Sequence, residues 1–131
     1  MNTLQSDETP KIYGAYSPVR RAGALAFVSG QIGIDPLSGH LDEDPAKQAA
    51  QALRNVESAL GSAGMGLDDV VDTTVFVTNM GTFPEINELY RDVFGEPYPS
   101  RTFVAVSELP RLGGDRTVQV EIKAIAMGQP K

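Results

Sequence analysis

Two charged residues stand where charge is costly. Arg101 opens the run Thr102, Phe103, Val104, Ala105 and Val106 in "PYPSRTFVAVSELP". That run is apolar, β-favouring and bounded by prolines, as a core strand should be. Glu121 lies inside "TVQVEIKAIAM", which alternates as a strand does. An unpaired charge is expensive in either setting. One account is a salt bridge, within a subunit or across an interface. The other is a site, in which the planar guanidinium fork holds a ligand carboxylate and a nearby carboxylate serves as general base. Spacing does not choose between them.

Competing chemistries lack their markers. There is no P-loop, no G-x-G-x-x-G and no G-x-S-x-G. The absence of cysteine removes disulfides, a thiolate nucleophile and a Cys-type zinc cage. The one histidine, His40, cannot form a His-cluster metal site and reads as an exposed turn residue. Asp68 and Asp69 are adjacent, so their side chains diverge and serve capping or solvation better than catalysis. A formal net charge of −6 opposes non-specific nucleic-acid binding, which rests on phosphate neutralisation.

At 131 residues, 41% hydrophobic and 21% charged, the chain has the size and composition of one globular domain spanning 1–131. Such a domain buries roughly two thirds of its unfolded surface. No apolar run approaches the ~20 residues of a membrane helix. The polar start "MNTLQSDETPKIYG" has no export signature, so residues 1–11 are expected to be a flexible lead-in and the protein cytoplasmic.

The elements that must position Arg101 and Glu121 follow from pattern. "GALAFVSGQIGID" reads as two short strands or one bent strand, with Gly30 and Gly33 marking a bulge or close backbone approach. "DPLSGHL" has turn residues. A helix follows, with Asp44 as N-cap, Pro45 at its first position, a buried stripe through Ala49, Leu53, Val56, Leu60 and Ala63, and Gly64 as its stop. Thr73 to Asn79 forms a strand. A second helix begins near Thr82, with Phe83, Ile86, Tyr90 and Val93 as its stripe. The Arg101 strand comes next, then a polar hairpin tip at Gly113 to Thr117. In the last strand Val118, Val120, Ile122, Ala124 and Ala126 face the helices, while Gln119, Glu121, Lys123, Ile125 and Met127 face away. That mixed outer face suits a subunit interface. Two helices on one face of a mixed sheet make an α+β layer architecture.

"YGAYSPVRRAGALAFVSGQIGIDPLSGHL", "NMGTFPEINELYRDVFGEPYPSRTFVAV" and "VEIKAIAM" occur in the order seen in the RidA family, also called YjgF/YER057c/UK114 or endoribonuclease L-PSP. The chain resembles that family from about Tyr13 to Met127. The resemblance implies a chorismate-mutase-like fold and a homotrimer whose sheets face inward, with three ligand clefts between subunits. It also implies hydrolysis of 2-imino or enamine acids, of the 2-iminobutanoate and 2-iminopropanoate type, to 2-oxo acids and ammonia, without metal or cofactor. By motif, Arg101 in "SRT" matches the carboxylate-binding arginine and Glu121 the acid that positions water. Tyr16 in "AYS", Ser29 and Gly30 in "VSGQ", and Asn87 in "INELY" match residues lining the cleft.

Plainer roles stand beside these. Tyr16 and Ser29 could serve only as backbone hydrogen-bonders, Gly30 as a residue needed for its backbone angles, and Asn87 as a cap on a neighbouring loop. The chain also departs from the family pattern. "GAYS" replaces "GPYS", and Phe103 stands where many members carry a pocket-lining Cys or Thr, so less space and a different or flatter substrate are expected. "RLGGDRTVQV" is longer than usual, which extends the hairpin or displaces Glu121. Two other functions stay open: a non-catalytic trimer binding a small carboxylate, and an endoribonuclease, the last opposed by the acidic charge and the lack of catalytic histidines.

Overall fold

The computed structural model describes residues 14–128; the expected lead-in at 1–11 lies outside them. Five strands form one mixed sheet: β1 (Val19–Ala22), β2 (Leu25–Ile32), β3 (Val70–Val77), β4 (Ser100–Ala105) and β5 (Val120–Met127). Their order is β1-β2-β5-β3-β4. Only β3 and β4 pair in parallel. Two helices, α1 (Pro45–Ser62) and α2 (Phe83–Val93), supply the crossovers from β2 to β3 and from β3 to β4.

Helix α1 forms where its capping residues place it. The Asp44 carboxylate accepts from the Ala46 N–H and Pro45 occupies the first turn, where no N–H is needed. The chain leaves the helix through Gly64 at φ +77°, a conformation a side chain would oppose. Its Ala49, Leu53, Val56 and Leu60 stripe is buried against the sheet, as the periodicity requires. Burying a leucine such as Leu53 or Leu60 contributes roughly 1.5–3 kcal/mol. Val120, Ile122, Ala124 and Ala126 meet this layer from β5 and are all buried.

Two amides inside the buried stripe were not anticipated. Gln48 donates to the Asp42 and Thr117 carbonyls and accepts from the Gln119 N–H. Asn55 donates to the carbonyls of Ile32 and Ile34. Together they satisfy the backbone where β2 ends and where β5 is about to begin, so both strands enter the sheet in fixed register.

Three expectations shift. The β3 strand starts at Val70 rather than Thr73, because Leu67–Asp69 forms a short 3-10 turn, and it ends at Val77 because Asn79 caps the next turn. The Arg101 strand β4 is an edge strand, half exposed along its length, and not a core strand. An apolar run cannot reveal whether a partner covers its far side. Finally, β4 and β5 are separated by β3, so residues 106–119 are a crossover with a turn at Gly114 and not a hairpin.

Candidate active site: two half-sites on one chain

Arg101 is held at the β4 edge by α2. Its partner across the ladder is Thr73 on β3, whose hydroxyl is hydrogen-bonded to the Tyr90 hydroxyl of α2. Directly paired residues share a face, so Arg101 points to the helix side. There Nη1 donates to Asn87 Oδ1 at 3.0 Å. The guanidinium carbon lies 4.9 Å from the Tyr90 ring centre, 5.4 Å from Phe83 and 5.5 Å from Phe103. Each cation–π contact contributes about 0.5–2 kcal/mol according to its exposure. Phe83 and Phe103 pack edge to face at 4.8 Å.

Three rings and an amide fix the guanidinium without neutralising it. Among the described residues the ion pairs are His40–Asp42, Arg91–Glu88 and Arg111–Glu108, so Arg101 has no carboxylate partner there. It borders a cleft of about 350 Å³ lined also by Asn87, Tyr90, Arg91, Tyr98 and Pro99. Phe103 flanks the guanidinium rather than lining this cleft. Burial pushes the Tyr90 phenol up to about 12, against the lowering effect of the Thr73 hydrogen bond and of Arg101. The ring is therefore a neutral platform at physiological pH.

A second group gathers on β2 and β5. The β2 ladder is irregular between Val28 and Gln31, which places Ser29 and Gly30 in a bulge. Ser29 Oγ donates to the Ser17 carbonyl at 2.6 Å and the Ser29 N–H to Pro18. These bonds tie down the segment carrying Tyr16, itself 45% exposed. Gly30 lies against Glu121. A Cβ at Gly30 would stand 2.7 Å from the Glu121 Cδ and closer still to its carboxylate oxygen. Half-buried there, the carboxyl is pushed above its ordinary value by desolvation.

The two groups face opposite ways. Thr73 pairs with both Arg101 and Ala124, and Ala124 is buried beneath the helices. Glu121 is three residues from Ala124 along a regular stretch of ladder, hence on the other face. Asn87 and Phe103 thus join Arg101, while Ser29 and Gly30 join the side of Glu121. Within one chain these are two separate groups of side chains on opposite faces of the sheet. Sequence reading missed Tyr90 and Phe83 as site residues because their helical spacing marks them equally well as packing. The aromatic and cationic types on one α2 face were the available signal.

A larger cleft, about 600 Å³, lies elsewhere, along the 107–118 crossover. It is lined by none of the residues gathered around Arg101 or Glu121, so volume alone does not mark the chemistry. Among the described residues no group of acidic and histidine side chains could hold a metal ion, and no helix is long and apolar enough to cross a membrane.

The fold and the Arg101 pocket define an α+β layer protein with a held guanidinium bordering a cleft at a sheet edge. Residues 6–128 match the family described as Endoribonuclease L-PSP. The chain belongs to that family, the group of the RidA and YjgF proteins. It is 40% identical over 122 residues to a RutC family protein of Pyrococcus horikoshii, covering 92% of this chain and 93% of that one. It is 36% identical over 128 residues to the 2-iminobutanoate/2-iminopropanoate deaminase of Salmonella typhimurium, covering 95% and 96%. Among solved structures, Escherichia coli TdcF with bound serine superposes with a TM-score of 0.88 at 33% identity, covering 98% of this chain and 100% of that chain.

Proposed function

We propose that the protein hydrolyses 2-imino acids to 2-oxo acids and ammonia, in clefts formed between copies of the chain assembled as a trimer. The observation that carries this reading is Arg101: a fixed guanidinium with no carboxylate partner among the described residues, open to a cleft of about 350 Å³. A 2-imino acid presents a carboxylate beside the C=N bond, and a guanidinium grips it in two parallel hydrogen bonds. The name of the Salmonella relative and the serine held by TdcF support a small carboxylate as ligand.

Glu121 supplies the second half. Because it faces away from Arg101 within one chain, it reaches the bound imine only from a neighbouring copy. The outer sheet face favours such assembly: Phe27 is 38% and Met127 49% exposed, and Ile125 lies between them across the β2–β5 ladder. On a protonated imine, the Glu121 carboxylate accepts a proton from water as the oxygen adds to the imine carbon, giving a neutral carbinolamine. The carbinolamine then collapses: Glu121 returns that proton to the nitrogen, the C–N bond breaks to release ammonia, and the hydroxyl gives its proton to the Glu121 carboxylate as the C=O bond forms; the ammonia takes up that proton and restores the carboxylate. A carboxyl with a raised pKa suits both halves of this proton relay.

The test is release of 2-oxo acid from an imine generated in situ by an amino-acid oxidase, with and without the protein. Acceleration that Arg101→Ala abolishes is expected; an unaccelerated reaction, or an Arg101→Ala variant as active as wild type, overturns the reading. A second reading is favoured by the separation of the half-sites. The Arg101 pocket is complete in one chain, so a carboxylate-binding protein without turnover needs no Glu121. It predicts saturable binding of 2-oxobutanoate that needs Arg101 and no acceleration.

A further inference from the structure

We infer that the Arg101 cleft is built for a dicarboxylate, with Arg91 receiving the second carboxylate. The inference rests on the reading of Arg101 as a carboxylate receptor and narrows its substrate class to 2-imino and 2-oxo diacids.

The cleft carries two guanidiniums, Arg91 and Arg101, the amide of Asn87 and the phenols of Tyr90 and Tyr98, and no acidic side chain lines it. In a chain of net charge −6 this is a local concentration of positive charge. Arg101 is committed by its bond to Asn87 and its three rings. Arg91 is not. Among the described residues its one side-chain partner is Glu88 at 3.0 Å, one turn back on the same helix, and the two side chains are 59% and 71% exposed. Such a pair is weak and yields readily to a ligand.

Spacing selects two separated charges over one compact one. Asn87, which holds Arg101, and Arg91 are four residues apart on α2. They therefore stack on one helix face about 6 Å apart along the axis. The terminal carbons of an extended five-carbon diacid lie about 5 Å apart. A monocarboxylate on Arg101 leaves Arg91 to its exposed pair with Glu88, whereas a diacid brings it a second carboxylate.

Calorimetric titration of the intact protein with 2-oxobutanoate, 2-oxoglutarate and inorganic phosphate tests this. Wild type should bind 2-oxoglutarate about tenfold tighter than 2-oxobutanoate, the gain of one partly exposed charge-assisted contact. Arg91→Gln should erase that preference, weakening 2-oxoglutarate about tenfold more than 2-oxobutanoate. Glu88→Gln, which frees Arg91 without removing it, should keep or enlarge the preference. Equal affinities in wild type, an Arg91→Gln variant that weakens both acids alike, or phosphate binding tighter than 2-oxoglutarate would each overturn the diacid assignment. If 2-oxobutanoate binds through Arg101 but no diacid preference exists, this inference fails alone. If neither acid binds, the carboxylate-receptor reading fails with it.

Discussion

Gly30 and Gly33 lie three residues apart at the end of β2, and the same substitution should have opposite consequences at the two. At Gly30 a Cβ would meet Glu121 at 2.7 Å from Cδ and 2.9 Å from Cγ. Those atoms belong to the far part of a flexible, half-buried side chain, which can rotate away. Gly30 does not adopt a left-handed backbone, so alanine fits and gains about 0.4–1 kcal/mol by restricting the unfolded chain. Releasing a partly desolvated carboxyl to water adds to that. At Gly33 the Cβ would meet backbone, 2.6 Å from the Gln48 Cα and 2.8 Å from its carbonyl carbon. Gln48 cannot retreat, because its amide is committed to Asp42, Thr117 and Gln119 and its N–H to Asp44. Overpacking costs about 1–3 kcal/mol, and a disturbed amide network about 1 kcal/mol more. At about 4 °C per kcal/mol for a chain this long, Gly33→Ala should melt roughly 8–16 °C below wild type and Gly30→Ala within about 4 °C. Scans should be run at one protomer concentration, since assembly shifts the midpoint. Imine hydrolysis should show the reverse pattern, with Gly30→Ala folded but slowed about 100-fold by displacement of its general base. A Gly30→Ala protein as unstable as Gly33→Ala, or fully active, would refute the claim that this glycine seats the carboxylate.

Glu121→Gln should separate stability from activity by pH. Burial raises the folded pKa of Glu121, so its favourable contribution is present below the unfolded value of about 4.3 and is lost as pH rises through the folded one. The variant should therefore have a higher urea midpoint than wild type at pH 7 and a similar one near pH 4, while losing the acid limb of the rate profile. Tyr90→Phe leaves the buried Thr73 hydroxyl without its partner and should cost about 1–2 kcal/mol. The ring over Arg101 survives, so 2-oxobutanoate affinity should change less than twofold; a tenfold loss would show that the hydroxyl holds the guanidinium. Arg101→Lys should weaken 2-oxobutanoate binding about 10- to 100-fold, since an ammonium cannot serve Asn87 and a carboxylate with one planar fork; equal affinity would argue for a bare point charge.

What was legible followed from short-range periodicity. The alternation of Val118 to Met127 assigned both faces of β5 correctly because one face is covered and the period is two. Asp44, Pro45 and Gly64 bounded α1 because capping chemistry is local. The edge position of β4 was not legible. Thr102 to Val106 would have the same composition with a sixth strand beside it, and strand order depends on pairings far apart in sequence. For the same reason spacing could not tell that Arg101 and Glu121 lie on opposite faces, since that depends on how β3 registers between β4 and β5. Gln48 and Asn55 carried a readable signal, two amides seven residues apart inside an apolar stripe, but their meaning required knowing which carbonyls they meet.

The opposite-face geometry makes a prediction that no single variant can. If each cleft takes Arg101 from one copy and Glu121 from the next, Arg101→Ala and Glu121→Gln chains are each inactive alone, yet their mixtures are not. A cleft in a mixed ring is intact when the copy giving arginine is the Glu121→Gln chain and the copy giving glutamate is the Arg101→Ala chain. Random assembly of equal amounts gives that arrangement in about one cleft in four. Unfolding and refolding the two together should therefore recover roughly a quarter of wild-type imine hydrolysis, and mixing without exchange should recover none. The recovered rate should fall as either variant is put in excess, because the intact arrangement needs both. Recovery that stays at the level of the separate variants would place both groups in one copy's reach and would remove the need for assembly. The ladder argues otherwise, since the regular stretch of strand from Glu121 to Ala124 leaves no bulge through which the carboxylate could cross to the helix side.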